Sequence, residues 1–264
     1  MSIQGKIQFL KAGLKCYAAN FDNPLLLQWY FRHRSRLLKF RDIHRGESCF
    51  IIGNGPSLNK MDLSLLKGRH TFGLNKIHLL LERCDLDLSY HVAVNALVIE
   101  QSIRNIEALD CPSFLSFGAA RTLTRGFDHI HMLATNGYFQ APYTFHTDPL
   151  HPICEGYTVT FVALQLAFFM GFKNVFLIGV DHNFKAAGNP NEEQHLAGQD
   201  ANHFDPRYFS NMNWHLPDLE ASELSYNLAR FFYHRDGRQV LDATVGGKLQ
   251  VFPKIAYEDA IRMT

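Results

Sequence analysis

Short apolar runs that alternate with helical patterns are the feature that most constrains how this chain can fold. The clearest run is Cys49-Phe50-Ile51-Ile52, which is continuous and therefore typical of a strand buried on both faces of a parallel sheet. The other predicted strands are 71–74, 89–94, 113–117, 129–133, 174–180 and 239–243. The predicted helices are 58–66, 96–106, 158–170 and 219–235. This alternation predicts an α/β fold, a single Rossmann-like domain with a doubly wound, mainly parallel sheet.

The length of 264 residues and the hydrophobic content of 47% fit one large domain better than two independent ones. We predict that residues 46–264 form this domain and bind a nucleotide. Within it, residues 182–217 are rich in Asn, Gly, Pro and His and show little periodicity. This stretch is too long for an ordinary connection, and it is therefore predicted to form a lid over a binding site.

Residues 1–45 are predicted to be an N-terminal helical extension, because apolar residues recur there near helical spacing. Two interpretations differ in what the extension contacts. In the first, which we favour, a pair of helices packs on the domain. In the second, a basic amphipathic element lies on an anionic membrane surface, as a peripheral contact. The second rests on six basic residues near the end of the extension: Arg32, Arg34, Arg36, Lys39, Arg41 and Arg45.

The location predicted from the sequence is the cytoplasm, at the inner face of the membrane if the second interpretation holds. No apolar run approaches the length of a membrane span, and the N-terminus lacks the apolar core of a signal peptide. The net charge of +1 argues against a nucleic-acid partner, since general nucleic-acid binders carry a larger positive excess.

Neither the cysteines nor the histidines form a metal-binding pattern. The five cysteines are odd in number, widely spaced and without a C-x-x-C pair, which is typical of reduced thiols. His182, His195 and His203 are too far apart for a compact zinc site, and they are predicted to lie on the lid surface.

A glycine-rich turn, Gly53-Asn54-Gly55-Pro56-Ser57, follows the first predicted strand and precedes a predicted helix. Backbone N–H groups and the positive end of a helix meet at such a turn, which makes it a site for phosphate. Gly53 and Gly55 are expected to permit close approach of a ligand and positive φ angles, and Pro56 suits the first helical turn. Asn54 or Ser57 can add a side-chain hydrogen bond. The alternative is a tight turn that merely needs two glycines.

This turn lacks the marks of two common nucleotide motifs. The dinucleotide fingerprint requires a third small residue where Leu58 stands, and an acidic residue near the end of the second strand, where Asn75 stands. No Gly-Lys-Ser/Thr follows the turn, so a Walker loop is absent too. NAD and FAD are therefore disfavoured as ligands.

Polar residues stand at the ends of four predicted strands: Asn54, Asn75, Asn95 and Asp181. Ligands of an open parallel sheet gather at the carboxyl ends of its strands. Asparagine both donates and accepts hydrogen bonds, which suits the bases and hydroxyl groups of a nucleotide. Each of these residues alone would be an ordinary turn or cap residue. Their repetition at successive strand ends favours a binding site.

Several stretches of the sequence resemble one superfamily. They are Cys49–Leu58, Val92–Asn95, Gly171–Asp181 and Asp242–Pro253. In them the chain resembles the superfamily of the 6-hydroxymethylpterin diphosphokinase MptE-like domain, which also takes in the compact bacterial sialyltransferases and the Maf flagellin glycosyltransferases. The last stretch fits the MptE-like branch best, and the resemblance covers residues 44–257.

The sialyltransferase branch implies a glycosyltransferase with a CMP-sugar donor, in which Asn54, Asn75 and Asn95 contact the nucleotide. His215, between the lid and the next predicted helix, matches the place of that family's catalytic base. The resemblance thus implies transfer of a sialic-acid-like sugar by direct displacement, in bacterial surface glycan synthesis. The partners would be the nucleotide-sugar donor and a glycan or lipid-linked acceptor, and a homo-oligomer is compatible with the sequence.

The chain departs from the sialyltransferases at two places. A serine that those enzymes use aligns with Val159, which leaves Thr158 or Thr160 as the nearby hydroxyl for the nucleotide. A tyrosine pair that follows their strand-end aspartate is replaced by His182-Asn183-Phe184. These departures bear on which donor the chain would use.

The chemistry of sugar transfer assigns roles to further residues. A base must take the proton of the acceptor hydroxyl, and imidazole suits this near neutral pH, so His215 is the predicted base. The departing phosphate must be stabilised, and the Gly53–Ser57 turn, with Tyr208 or Lys248, is predicted to do this. No cofactor is required for this reaction.

Two alternatives stay open. An MptE-like 6-hydroxymethylpterin diphosphokinase would use ATP and Mg²⁺, with Asp181 as a metal ligand that Glu192 or Asp205 from the lid joins. The other alternative is a non-catalytic nucleotide-binding protein. The single acidic residue at the strand ends favours the glycosyltransferase, because metal–ATP chemistry commonly recruits more carboxylates.

Overall fold

A computed structural model describes residues 23–139, 141–185 and 187–264 of the chain. Its strands are β1 Ser48–Ile52, β2 His70–Leu74, β3 Tyr90–Ala93, β4 Ser113–Ser116, β5 Ile130–Leu133, β6 Asn174–Ile178, β7 Glu193–Leu196, β8 Met212–His215 and β9 Gln239–Asp242. Seven of them form one sheet, entirely parallel, in the order β5-β4-β3-β2-β1-β6-β9. The remaining two, β7 and β8, form an antiparallel pair. The predicted α/β fold with a parallel, Rossmann-like sheet is confirmed.

The helices cover both faces of the sheet, as the alternation along the chain requires. They are α1 Pro24–Arg32, α2 Arg34–Leu37, α3 His78–Leu81, α4 Ala96–Glu107, α5 Phe117–Ala120, α6 Val159–Met170, α7 Leu219–Arg235 and α8 Tyr257–Arg262. Local signals fix the ends of the longer ones. Asp218 caps α7 by accepting from the N–H of Ala221 (3.0 Å), and Gly171 ends α6 in the left-handed conformation, with φ 95°.

Strand β1 forms the centre of the core. It pairs with β2 on one edge and with β6 on the other, so that Ile52 lies beside both Gly73 and Ile178. Its residues Cys49 to Ile52 have no solvent exposure, which explains the continuous apolar run in the sequence. Burial of each large apolar side chain here stabilises the fold by about 1.5–3 kcal/mol.

The prediction of an α-helix directly after the glycine-rich turn is wrong. Two short 3₁₀ helices, Pro56–Lys60 and Leu63–Leu66, stand there instead. Met61 between them is extended (φ −113°, ψ 142°), and Asp62 caps the second by accepting from the N–H of Ser64 (3.1 Å). An aspartate competes in this way for nearby backbone donors, which favours a helix start over a helix interior.

The short helices α3 and α5, the pair of strands β7 and β8, and helix α8 were not predicted from the sequence. The β7–β8 hairpin lies within the lid region, 182–217, where the residues showed little periodicity. Helix α8 lies in the C-terminal tail, where no regular element was expected. It packs through Tyr257 and Ala260, which are both buried.

The lid is attached to the carboxyl edge of the sheet by hydrogen bonds from buried groups. The N–H of Phe204 donates to the carbonyl of Asn54 (2.9 Å), and the Lys76 ammonium donates to the carbonyl of Tyr208 (2.7 Å). Lys76 also donates to Oε1 of Gln101 on α4 (2.8 Å). Burial lowers the pKa of Lys76 to about 8. These contacts connect the lid to the carboxyl ends of the strands and to α4.

The N-terminal extension is described from residue 23, so the part of the predicted helical segment within residues 1–22 lies outside the described residues. The described part packs on the domain. Trp29 on α1 is fully buried and its indole N–H donates to the carbonyl of Met132 (2.8 Å). Arg34, one of the six basic residues, is buried and donates from Nε to the carbonyl of Leu150 (2.7 Å). Contact with a membrane stays a prediction.

Within the described part of the chain, no helix combines the length and the apolar character needed to cross a membrane.

Candidate active site

The candidate site lies where the order of the strands reverses. From β1 the chain adds strands on one side as far as β5, and then returns to place β6 on the other side of β1. The loops that leave β1 and β6 therefore diverge at the carboxyl edge, and ligands of such sheets bind in the crevice between them. These loops carry the predicted residues Gly53–Ser57 and Asp181.

Three backbone N–H groups of the glycine-rich turn, those of Gly53, Gly55 and Ser57, are already engaged within the protein. The N–H of Gly53 donates to the carbonyl of Ile178 (2.7 Å), and that of Gly55 donates to the carbonyl of Gly179 (2.8 Å). The N–H of Ser57 donates to Oδ1 of Asp181 (3.1 Å) and its hydroxyl to Oδ2 (2.6 Å). A carboxylate from the end of β6 thus occupies the place where the sequence predicts a ligand phosphate.

The reason for the glycines also differs from the prediction. Gly55 has φ −73° and ψ 156°, a conformation that any residue adopts, and Gly53 is not among the residues with positive φ. The expected positive φ angles are therefore wrong. A Cβ atom at Gly55 would overlap the carboxylate of Asp181, and one at Gly53 would overlap the carbonyl of Gly179. Both glycines are required because the two strand ends approach each other closely.

Asp181 serves as a connector between the two loops. Burial raises the pKa of its carboxyl, and the hydrogen bonds from Ser57 oppose that rise. Both oxygens accept from Ser57, and the backbone carbonyl of Asp181 accepts from the N–H of Lys248 (2.8 Å). A role for Asp181 as a metal ligand stays a prediction.

Two adjoining cavities lie under the lid. The smaller, of about 150 Å³, has among its walls Gly53, Asn54, Gly55, Asn75, Thr158, Thr160 and Asp181. The larger, of about 550 Å³, is lined on different sides by Asn75, Asn95, Thr158, Glu155 and His215. Most of the predicted site residues are therefore brought together. Pro56, Ser57, Tyr208 and Lys248 line neither cavity.

The last two of these residues are held away from the cavities for different reasons. Tyr208 is 1% exposed, stacks on His203 at 4.0 Å between ring centroids, and accepts from the N–H of Lys76 (3.3 Å). Lys248 is exposed to solvent, and its backbone contacts Asp181. The predicted contact of these two side chains with phosphate has no support in this geometry.

Two asparagines that line the smaller cavity have side-chain oxygens without a partner among the described residues. Oδ1 of Asn54 and Oδ1 of Asn75 are buried, and neither has a hydrogen-bond partner among the described residues. Asn75 is held in the left-handed conformation (φ 51°) by its position at the end of β2. A buried acceptor without a partner costs about 1–3 kcal/mol, so a ligand that donates hydrogen bonds would relieve this cost.

Asn95 fixes the state of the His215 ring. Oδ1 of Asn95 caps α4 by accepting from the N–H of Val98 (3.2 Å), so its amide N–H₂ faces Nδ1 of His215 (3.2 Å). Nδ1 therefore carries the lone pair and Nε2 carries the proton of the neutral ring. Nδ1 is thus the acceptor nitrogen of the His215 ring.

Thr158 and Thr160 lie at the start of α6. Thr158 is the N-cap, and its hydroxyl oxygen accepts from the N–H of Thr160 (3.3 Å). The same hydroxyl lies 3.3 Å from the hydroxyl of Tyr226. Thr158 borders both cavities, and Thr160 borders the smaller one. Their predicted contact with a nucleotide is thus sterically open, while the hydroxyl of Thr158 already has partners.

Two of the three lid histidines are not surface residues, so that prediction is wrong for them. The side chains of His182 and His203 are each 9% exposed, and both line the smaller cavity. Nδ1 of His203 lies 2.7 Å from Oδ2 of the buried Asp200. His195 is exposed, as predicted. The aromatic residues of the lid, such as Phe209 and Trp214 beside His203, were the sequence signal for this burial.

Glu155 is a cavity residue that sequence reasoning missed. It lies on the turn that leads into α6 and lines the larger cavity. Burial raises the pKa of its carboxyl, and a hydrogen bond with Thr135 opposes that rise. Its Oε1 is buried without a partner among the described residues. No motif marks it in the sequence, because only the three-dimensional structure shows that this turn faces the strand ends.

In the described part of the chain, one group of side chains has the spacing of metal ligands, and it lies away from the two cavities. It consists of His44, Glu47 and His70, whose ligand atoms lie within 4.8 Å of one another. His44 and His70 each contact Oε2 of Glu47, at 2.7 and 2.9 Å. His70 begins β2, so this cluster is at the amino edge of the sheet, opposite the cavities.

The fold and the cavities define a Rossmann-like α/β protein with two adjoining cavities at the switch point of its sheet. The chain belongs to the 6-hydroxymethylpterin diphosphokinase MptE-like family, whose pattern matches residues 29–187, more than half of the sequence. No curated protein matches the chain.

A solved structure, that of the MAf glycosyltransferase from Magnetospirillum magneticum AMB-1, is similar in fold, with a TM-score of 0.51 and 11% sequence identity. The similarity covers 85% of this chain and 38% of that one, so this chain spans little more than a third of the larger protein. At this identity the likeness concerns the fold, and it agrees with the MptE-like and Maf relationship that the sequence suggested.

Because Gly55 lies so close to Asp181, we expect a side chain at position 55 to destabilise the protein. Gly55→Ala should destabilise the protein by about 1–3 kcal/mol, because the new methyl group collides with the carboxylate while the backbone suits any residue. In an Asp181→Gly background the same change should cost much less, and chemical denaturation of the four proteins measures the coupling. Additive losses would show that Gly55 is needed for another reason.

The buried carboxyl of Glu155 predicts a pH dependence. Since its pKa is higher in the folded than in the unfolded protein, its contribution to stability is complete at low pH and is lost as pH rises through the folded-state pKa. The stability of the wild type relative to Glu155→Gln should therefore fall as pH rises above the ordinary pKa range of a glutamate carboxyl. Thermal unfolding as a function of pH measures it, with the exposed Glu100→Gln as the control. A difference that does not vary with pH would contradict the burial of this carboxyl.

Proposed function

We propose that the protein is a glycosyltransferase that takes a sugar from a nucleotide-activated donor and passes it to a hydroxyl group by direct displacement. The nucleotide part of the donor occupies the smaller cavity and the acceptor occupies the larger one. A CMP-sugar of the sialic-acid type is the donor that the sequence resemblance suggests. The acceptor is a glycan or a lipid-linked glycan, as in bacterial surface glycan synthesis, and the reaction takes place in the cytoplasm.

The observation that carries this proposal is the pair of unpaired amide oxygens of Asn54 and Asn75. A nucleotide presents ribose hydroxyls and, in cytosine, an amino group, and these are the donors that the two oxygens lack. Hydrogen bonds made only with the correct ligand also give strong discrimination, because another ligand would leave the oxygens buried and unpaired.

The charges of the site support a donor with few phosphates. None of the described residues that line the two cavities is Lys or Arg, and the smaller cavity has Asp181 in its wall. A nucleoside monophosphate sugar carries one phosphate charge, whereas a triphosphate carries several that would need cations.

His215 acts as the general base in the proposed reaction. The acceptor oxygen forms a bond to the anomeric carbon, and the bond between that carbon and the phosphate oxygen breaks. The acceptor proton passes to Nδ1 of His215, and the nucleotide leaves with the electron pair of the broken bond. The Asn95 amide holds the ring with Nδ1 unprotonated until the acceptor arrives.

An MptE-like diphosphokinase that uses ATP and Mg²⁺ is the second candidate, and the family match supports it. The residues fit Mg²⁺ poorly. Asp181 is the carboxylate that lines the smaller cavity, and both of its oxygens already accept hydrogen bonds from Ser57. The lid carboxylates Glu192 and Asp205 line neither cavity. We therefore place this function second.

A nucleotide panel separates the two candidates. CMP should raise the melting temperature of the protein in the absence of divalent metal and in the presence of EDTA. At a hundredfold excess over its Kd, it should increase the free energy of unfolding by about 3 kcal/mol. The panel compares CMP, CDP, UDP, GDP and ATP with and without Mg²⁺ in thermal-shift measurements. Asn54→Ala and Asn75→Ala should each weaken CMP binding about tenfold, while the exposed Asn227→Ala leaves it unchanged. Stabilisation by ATP with Mg²⁺ and not by CMP would establish the diphosphokinase instead.

His215→Ala should lower turnover by roughly 10² to 10⁴, the usual range for the loss of a general base. Nucleotide affinity should change little, because the base acts on the acceptor hydroxyl. His195→Ala is the matched control, since His195 lies on the same hairpin and is exposed. Turnover is measured as nucleotide release from the donor that the panel identifies. Near-normal turnover, or a loss of affinity in proportion to the loss of rate, would remove His215 from the mechanism.

A further inference from the structure

The wall of the larger cavity contains one carboxylate whose position is fixed by its surroundings. The N–H of Glu155 donates to Oδ1 of Asn136 (2.7 Å), which joins its turn to the loop after β5. Gly137 in that loop packs closely against the carboxylate, since a Cβ there would lie 3.1 Å from Oε1.

The carboxylate has capacity for a ligand. Oε1 is buried and has no hydrogen-bond partner in the described part of the chain. The other buried carboxylates near the lid differ in this respect. Asp181 accepts from Ser57 through both oxygens, and Asp200 accepts from the N–H of Asn202 (2.8 Å) and pairs with His203. Glu155 has its hydrogen bond with Thr135, but its Oε1 is left without a partner among the described residues, whereas both oxygens of Asp181 and of Asp200 are paired.

The cavity offers no permanent positive charge to an acidic ligand. None of the described residues that line it is Lys or Arg. Its titratable side chains besides Glu155 are Tyr143, Tyr157, His203 and His215. A ligand carboxylate would therefore meet Glu155 without a lysine or arginine to offset the repulsion, which disfavours its binding in a desolvated site.

We infer that the larger cavity binds a sugar that carries hydroxyl or ammonium donors and no acidic group, with Glu155 accepting a hydrogen bond from it. This inference rests on the proposed function, in which the sugar bound in the larger cavity is the acceptor. The acceptor is then a neutral sugar or an amino sugar and not an acidic one. Glu155 is a binding and specificity residue here, and the proton transfer belongs to His215.

Three monosaccharides that differ mainly in charge test the inference. Glucose, glucosamine and glucuronate are titrated into the full-length protein at neutral pH, with and without CMP, and binding is measured by ligand-observed NMR. Glucose and glucosamine should bind, and glucuronate should bind at least about tenfold more weakly. In Glu155→Gln the affinity for glucosamine should fall about 10- to 100-fold, and the preference against glucuronate should disappear.

Two further variants guard against a trivial loss of fold. Gly137→Ala places a methyl group beside Oε1 without changing charge, and it should weaken glucose and glucosamine alike. Glu100→Gln, on the exposed face of α4, should change nothing. Equal binding of glucuronate and glucose to the wild type, unchanged selectivity in Glu155→Gln, or no binding of glucose and glucosamine would each overturn the inference. The nucleotide panel tests the proposed function separately, because it does not depend on Glu155.

Discussion

The contact between Asp181 and Ser57 is the interaction on which the rest of the site depends. It joins residues 124 positions apart in the sequence and fastens the end of β6 to the end of β1. Gly55 must lack a side chain so that the carboxylate can come this close. This contact, which we call the Asp181–Ser57 clamp, holds the turn that contains Asn54, and the carbonyl of Asn54 accepts from the N–H of Phe204 in the lid. The contact between Asp181 and Ser57, which joins the ends of β6 and β1, therefore also helps to position the lid.

This clamp changes what the glycine-rich turn can contribute to binding. A free turn of this kind binds phosphate through its N–H groups, but here Gly53, Gly55 and Ser57 donate to the protein itself. An internal carboxylate has taken the place of the external anion. Recognition of a ligand would consequently depend on the side chains at the strand ends, whose amide oxygens can accept hydrogen bonds from a base or a ribose. That shift is consistent with cavities whose described walls contain neither Lys nor Arg.

The sequence predicted the features that local pattern determines. Apolar runs located the strands, and the residues that follow them, such as Asn75 and Asn95, reached the cavities as parallel topology requires. Features set by distant partners were not predictable in this way. The occupied donors of the turn depend on Asp181, and the burial of His203 depends on Asp200 and Tyr208. Glu155 stands in a stretch without periodicity or motif, so only the packing of its turn against the loop after β5 reveals it.

The distribution of unpaired buried atoms gives the strongest physical argument for a ligand. Among the described residues, the buried side-chain oxygens without a partner belong to Asn54, Asn75 and Glu155, and all three line the cavities. The other unpaired atoms are histidine ring nitrogens, as in His131 among the aromatic rings of the core. The unpaired buried side-chain oxygens of the described residues thus cluster around one crevice, where each of them adds a free-energy cost. A ligand rich in N–H and O–H donors removes the cost, and a nucleotide together with a sugar is such a ligand.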